Sequence, residues 1–212
     1  MADVEFFFDP VCPWAWITSR WVVEVQQLRS YDVEWRFICL AVLNEQQTAE
    51  WYTPEYRRGH MAGMECLRVA DAVRVAEGNG AVDRLYTAYG TGIHVERRRD
   101  AVRGDTHAFI ADSLERAGLD RGFADQWEDT SHDEHLRAET AVALERTGKD
   151  VGTPIITFRA GQPDASSFFG PVIARIPRGD EALRLWDAVE VIATTSGMAE
   201  LKRSLREAPS FD

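Results

Sequence analysis

The chain is short of cysteine, of positive charge and of long apolar runs, and each shortage removes a class of function. Three cysteines in 212 residues are an odd number without framework spacing, which argues against a disulfide-stapled fold and fits a reducing compartment. A formal net charge of −11 argues against a nucleic-acid partner or an anionic membrane surface. No run approaches the roughly 18 apolar residues that a membrane-spanning helix needs. The start, Met1-Ala2-Asp3-Val4-Glu5, has neither the basic nor the apolar region of a secretory signal. These absences predict a cytoplasmic protein with no nucleic-acid or membrane partner. Repeats and low-complexity linkers are missing as well. No Gly-rich dinucleotide fingerprint follows the first apolar strand, so direct nicotinamide binding is not indicated. His94, His107, His132 and His135 show no ligand spacing that calls for a metal.

What remains is an ordinary globular balance, 45 % apolar and 28 % charged, long enough for one domain with an insertion or for two small ones. Residues 4–8 read as a buried strand, broken by Asp9-Pro10. From Pro13 a helix places Ile17, Trp21, Val25 and Leu28 on one stripe. Residues 33–40 read as a second strand, so the opening is a β-α-β unit. About a hundred helical residues follow. Thr53-Pro54-Glu55 opens a helix that Gly78 closes. Shorter helices are expected near 81–89, 106–117 and 121–128, and Ser131 to Glu134 forms a capping box for a helix ending at Gly148. Strand character returns at 154–158 and 166–170 as an antiparallel hairpin, followed by helices over about 181–194 and 198–206. Residues 1–40 and 150–212 therefore form one α/β domain, with 41–149 as an all-helical insertion rather than a linker between independent halves.

The candidate site is Cys12-Pro13-Trp14-Ala15, at the end of the first strand and the start of a helix. There a thiolate would face unpaired N–H groups and the positive end of the helix dipole, which lowers a thiol from about 8.5 into the range ~3.5–7.5. Pro13 suits the first helical position, where its missing N–H has no helical partner. Cys39 and Cys66 lie within a strand and a helix and read as buried, inert thiols. Asp9 is close enough in sequence to tune Cys12, although Asp-Pro is also an ordinary turn opening. Arg97-Arg98-Arg99 reads as a solvated face.

The element order, with Phe8-Asp9-Pro10-Val11-Cys12-Pro13-Trp14, Val151-Gly152-Thr153-Pro154 and Phe168-Phe169-Gly170-Pro171, resembles the thioredoxin fold of DsbA-like proteins, β-α-β … β-β-α with a helical insert. A closer similarity is to the actinobacterial mycothiol-dependent reductases, also described as mycothiol-dependent nitroreductases. It is carried by Trp16-Ile17-Thr18-Ser19-Arg20-Trp21, Leu43-Asn44-Glu45, Pro54-Glu55-Tyr56-Arg57, Ile176-Pro177-Arg178-Gly179 and Pro209-Ser210-Phe211-Asp212. The resemblance covers nearly the whole chain. It implies a catalytic Cys12, a cis Thr153–Pro154 bond beside it, Trp14 over the sulfur, and Asn44, Tyr56, Thr153 and Pro154 around the bound thiol or substrate. From the residues alone a trans proline opening a strand is expected at Pro154. Asn44 reads equally as a turn residue, Tyr56 as a helix-face aromatic and Trp14 as a packed indole. The resemblance also implies no tightly bound cofactor, a low-molecular-weight thiol of the mycothiol kind as cosubstrate, a disulfide or electrophilic small molecule as substrate, a mycoredoxin-type reductant, reducing equivalents from NADPH through a separate enzyme, and a homodimer as one assembly.

Ala15 departs from that pattern, because the close relatives carry a second cysteine there. Thiol–disulfide exchange passes through a mixed disulfide that a second thiol must break, and Ala15 removes the intramolecular route. Three activities remain open: a monothiol oxidoreductase resolved by an outside thiol, a thiol-dependent transferase or isomerase similar to the kappa-class glutathione transferases, or an engineered resolving-cysteine variant of a dithiol enzyme. A non-catalytic binding module that keeps the cleft without the chemistry is the alternative outside enzymology. Cys66 as a distant resolving thiol is a weaker reading. The monothiol oxidoreductase is the preferred expectation.

Overall fold

The structure, a computed structural model, describes residues 2–211. Its strands are β1 (Val4–Phe8), β2 (Val33–Phe37), β3 (Ile155–Phe158) and β4 (Ser166–Phe169), in one sheet of order β2-β1-β3-β4. β3 runs antiparallel to both neighbours, with Phe7 opposite Ile155 and Ile155 opposite Phe169. The chain divides into two compact units. The first comprises Met1–Phe8, Pro13–Arg36 and Ala143–Asp212; the second comprises Asp9–Cys12 and Phe37–Val142.

In the first unit, helices α1 (Pro13–Leu28) and α8 (Gly179–Thr194) accompany the sheet. Trp21 and Trp186, one from each helix, pack with ring centroids 5.2 Å apart, and the Trp21 indole N–H donates to the Ala182 carbonyl at 3.0 Å. Phe158 and Tyr31 complete the cluster around Trp186. Such aromatic pairs add to the area they bury. Of the expected α1 stripe, Ile17, Trp21 and Val25 are buried, whereas Leu28 at the helix end is 47 % exposed.

The second unit is helical: α2 (Leu40–Leu43), α3 (Pro54–Glu77), α4 (Asn79–Gly90), α5 (Arg99–Gly104), α6 (Thr106–Arg116) and most of α7 (Asp133–Thr147). The Thr53 hydroxyl caps α3 by accepting from the Tyr56 N–H, and Gly78, at φ 82°, ends it. A left-handed residue at a helix end favours glycine. α4 continues into a π-helical turn, Thr91–Val95, which the sequence pattern does not announce.

Three expectations are corrected. β2 stops at Phe37 rather than at residue 40, because the Phe37 and Cys39 N–H groups donate to the Glu139 carboxylate and the Thr140 hydroxyl of α7 instead of to a ladder. The expected capping box at Ser131 is replaced by Asp129, whose carboxylate accepts the Ser131 N–H and opens a short 3-10 turn, Thr130–His132, ahead of α7. No helix forms over 198–206. Leu201 and Leu205 are 73 % and 88 % exposed there, and so short a helix does not persist in water without packing.

Candidate active site

Cys12 directly precedes Pro13, the first residue of α1, and is 6 % exposed. The turn that delivers it is held within the second unit. The Cys12 N–H donates to the Asp9 carbonyl at 3.1 Å. The Asp9 carboxylate accepts the Val11 N–H at 3.0 Å through Oδ1 and the Leu40 N–H at 2.8 Å through Oδ2. Asp9 is completely buried, and burial pushes its carboxyl up to about 7 even though both N–H bonds pull the other way. The Pro10 carbonyl accepts a 2.9 Å bond from His94 Nε2, on the π-helical turn. A carbonyl only accepts, so Nε2 carries the proton. Burial lowers the His94 imidazole to about 4, with the Pro10 bond working against that shift, so it is neutral at pH 7. Gly63, on α3, faces the same carboxylate: a Cβ there would lie 2.7 Å from Asp9 Oδ1.

The other two thiols stand in a different situation. Burial pushes the Cys39 thiol up to about 12 and raises Cys66 well above its ordinary value, with the Asp9 charge adding to Cys39 and the Glu65 charge to Cys66. Both are fully buried, and among the described residues no two cysteines form a disulfide. Low thiolate content makes Cys39 and Cys66 unreactive.

Pro13, Trp14 and Ala15 form the first turn of α1, with Trp14 half-buried and Ala15 fully buried. In the same unit the Thr153–Pro154 bond is cis, as is Gly170–Pro171, which the sequence reading did not anticipate. The Thr153 hydroxyl donates to the Phe7 carbonyl at 3.1 Å. The Gly170 N–H donates to the Pro154 carbonyl at 2.9 Å, and the Thr18 hydroxyl of α1 donates to the Pro171 carbonyl at 2.8 Å. One chain of hydrogen bonds therefore ties the Thr153-Pro154 loop to the end of β1 and to the second turn of α1.

Asn44 and Tyr56 belong to the second unit. Asn44 ends α2, and its side-chain amide donates to the Leu40 carbonyl at 2.9 Å, so it sits on the residue whose N–H holds Asp9. Tyr56 is half exposed on the first turn of α3. Its ring meets Trp51 and His60 edge-on, and the Tyr52 hydroxyl bonds His60 Nδ1 at 3.1 Å. Burial lowers His60 to about 4. Trp51, Tyr52, His60, Gly63 and His94 were not picked out as site residues. The glycine inside a helical pattern was a readable signal for Gly63; the others follow no motif spacing.

Elsewhere, His132 and His135 both bond the buried Asp71 through Nδ1 at 2.8 Å, alongside Arg74. Among the described residues no group of three or more His, Cys, Asp or Glu is arranged to hold a metal ion. Arg97 has a φ of 59°, and Arg98 pairs with Asp112 while its guanidinium lies 5.3 Å from the centre of the Phe109 ring. No helix among the described residues is long and apolar enough to cross a membrane.

Comparisons with known proteins bear on the fold and the family. In solved structures the fold is similar to the cytosolic disulfide reductase DsbM of Pseudomonas aeruginosa, with a TM-score of 0.56 at 18 % identity over 89 % of this chain and 98 % of that one. It is also similar to a probable DsbA oxidoreductase, SCO1869 of Streptomyces coelicolor, with a TM-score of 0.57 at 15 % identity over 100 % and 97 % of the two chains. The fold is thus a thioredoxin fold with a helical insertion, of the DsbA-like kind. In sequence the chain is 28 % identical over 204 residues to the uncharacterized protein Rv2286c of Mycobacterium tuberculosis, covering 96 % of this chain and 82 % of that one. The family model described as mycothiol-dependent nitroreductase Rv2466c matches residues 11–203, from the turn that carries Cys12 through both proline loops. The chain belongs to the Rv2466c-like family of mycothiol-dependent nitroreductases, and so to the thiol-dependent oxidoreductases.

Proposed function

We propose that the protein is a monothiol oxidoreductase in which Cys12 is the only nucleophile and an outside thiol completes each turnover. The observation that carries this reading is Cys12 directly before α1 with the fully buried Ala15 three residues on. The Cys12 thiolate attacks one sulfur of a mixed disulfide, R–S–S–R′, to form Cys12–S–S–R and release R′–S⁻. A low-molecular-weight thiol of the mycothiol class then attacks the R sulfur of the adduct. This regenerates the Cys12 thiolate and leaves the disulfide between the small thiol and R, which a mycoredoxin-type reductant returns to thiols. Small electrophiles enter by the same first attack where the attacked atom is a sulfur bearing a leaving group, which departs with the bonding electron pair and leaves a mixed disulfide for the small thiol to resolve. The helix N-terminus favours the thiolate as attacking and leaving group. Thr153 and Pro154 align the bound thiol, Trp14 covers the sulfur, and Asn44 and Tyr56 contact the substrate. No resident cofactor takes part, and the cycle runs in the cytoplasm, where small thiols are kept reduced.

Intact-mass analysis after exposure to a mixed disulfide tests this. The expected result is a single adduct on Cys12 that excess small thiol removes, and none on Cys12→Ser. Full exchange activity in Cys12→Ser overturns the assignment. Ala15 also favours a second reading, a thiol-dependent transferase or isomerase, since neither activity needs a resolving cysteine. A stable thiol conjugate or an isomerised product, with no disulfide formed, would select it.

A further inference from the structure

Asp9 is buried without a cation. Among the described residues no Lys or Arg pairs with it; its carboxylate is held only by the Val11 and Leu40 N–H groups, one on each oxygen. The titratable side chains facing it are Cys39 at the start of α2, Cys66 on α3 and Tyr52 before α3, whose own titrations the Asp9 charge raises. His94 faces the turn through Pro10 and is neutral at pH 7. Gly63 supplies no side chain, and a methyl group there would press on Oδ1. An uncompensated buried carboxylate is costly, and this one lies three residues before the nucleophile with its main-chain carbonyl on the Cys12 N–H.

We propose that Asp9 is a positioning residue for Cys12: its ionised carboxylate clamps the Asp9-to-Cys12 turn to the start of α2, and protonation of that carboxylate loosens the clamp and slows the thiol. The stereochemistry follows from the two oxygens. Ionised, each accepts one N–H. Protonated, one becomes a hydroxyl and a poorer acceptor, so Val11 or Leu40 loses its partner and Cys12 is less firmly aimed. Burial sets the titration at about 7, so the clamp changes state near neutrality. His94 braces the same turn at Pro10 and does not titrate in that range.

The inference rests on Cys12 being the reactive thiol, and the test separates the two. The full-length protein is alkylated with iodoacetamide across pH 5–9, the thiolate displacing iodide to form a thioether, and intact mass scores the rate. If Cys12→Ser is alkylated as fast as the wild type, the proposed function fails rather than this inference. With Cys12 as the target, the wild-type log-rate profile should depend on two protons, the thiol's and one more near pH 7. Asp9→Asn should depend on one proton and react about tenfold more slowly above pH 8, the scale of one lost hydrogen bond to a charged group. A one-proton wild-type profile, or a two-proton profile kept by Asp9→Asn, overturns the proposal. If Asp9→Asn does not fold, Gly63→Ala decides: it should displace the second inflection, and an unmoved inflection overturns the proposal.

Discussion

Glu5, in β1 of the first unit, and Asp9, in the second, show two ways of burying a carboxylate. Glu5 is 8 % exposed, and Arg36 and Arg146 both bond it, Arg36 at 2.7 Å. Burial works to raise its carboxyl, but the hydrogen bonds and charges of Arg146 and Arg36 prevail and hold it below the ordinary range. Asp9 has two backbone N–H groups and, among the described residues, no cation, and burial prevails, up to about 7. The first arrangement is what a structural ion-pair network looks like. The second leaves a charge unbalanced next to a nucleophile, and unbalanced buried charge is found where chemistry is done.

The contrast breaks first on pH. An unfolded Asp titrates near 3.8 and folded Asp9 near 7. Between those values the native state keeps a proton that the unfolded state has lost, so the Asp9 contribution to stability falls as pH rises, by up to about 4 kcal/mol. Glu5 has the opposite sign: its contribution is present above the ordinary Glu value and is lost as acid titrates the folded carboxylate. His60 and His94, lowered to about 4, also lose stability on acidification, from about pH 6.5 downward. Urea denaturation of wild type minus Asp9→Asn from pH 4 to 8 isolates the Asp9 slope; parallel curves would place Asp9 with Glu5. The next effect is Glu5→Ala at pH 7, expected to cost about 2 kcal/mol because it strands the partly buried Arg36, whereas Arg146 is open to solvent, again read by urea. The smallest is Arg29→Ala, which breaks an exposed pair with Asp187 and should leave the denaturation midpoint within error.

Much of the frame was legible because its signals are local. Thr53-Pro54 and Gly78 bracket α3 as read, since caps and left-handed glycines act within a turn. Cys12 before Pro13 was legible for the same reason. What escaped depends on distant partners. Glu139 and Thr140 cut β2 short from about a hundred residues away. Leu201 and Leu205 have helical spacing, but no surface covers them. The Asp-Pro at residues 9–10 looked like a turn opening and is one, yet its burial depends on Leu40, Gly63 and His94, which no spacing rule joins to it.

The π-helical turn Thr91–Val95 carries one more consequence. A wider turn holds one residue more than an α-helical one, so it advances the helical phase by about 100°. His94, which bonds the Pro10 carbonyl, lies within that turn, so its direction depends on the turn's width. Deleting a single residue within 91–95 would return this end of the helix to α-helical spacing and turn the histidine about the axis, away from Pro10. When relatives of this chain are aligned, segment length there is a trait to score in its own right: a relative with the histidine but one residue fewer would lack the brace.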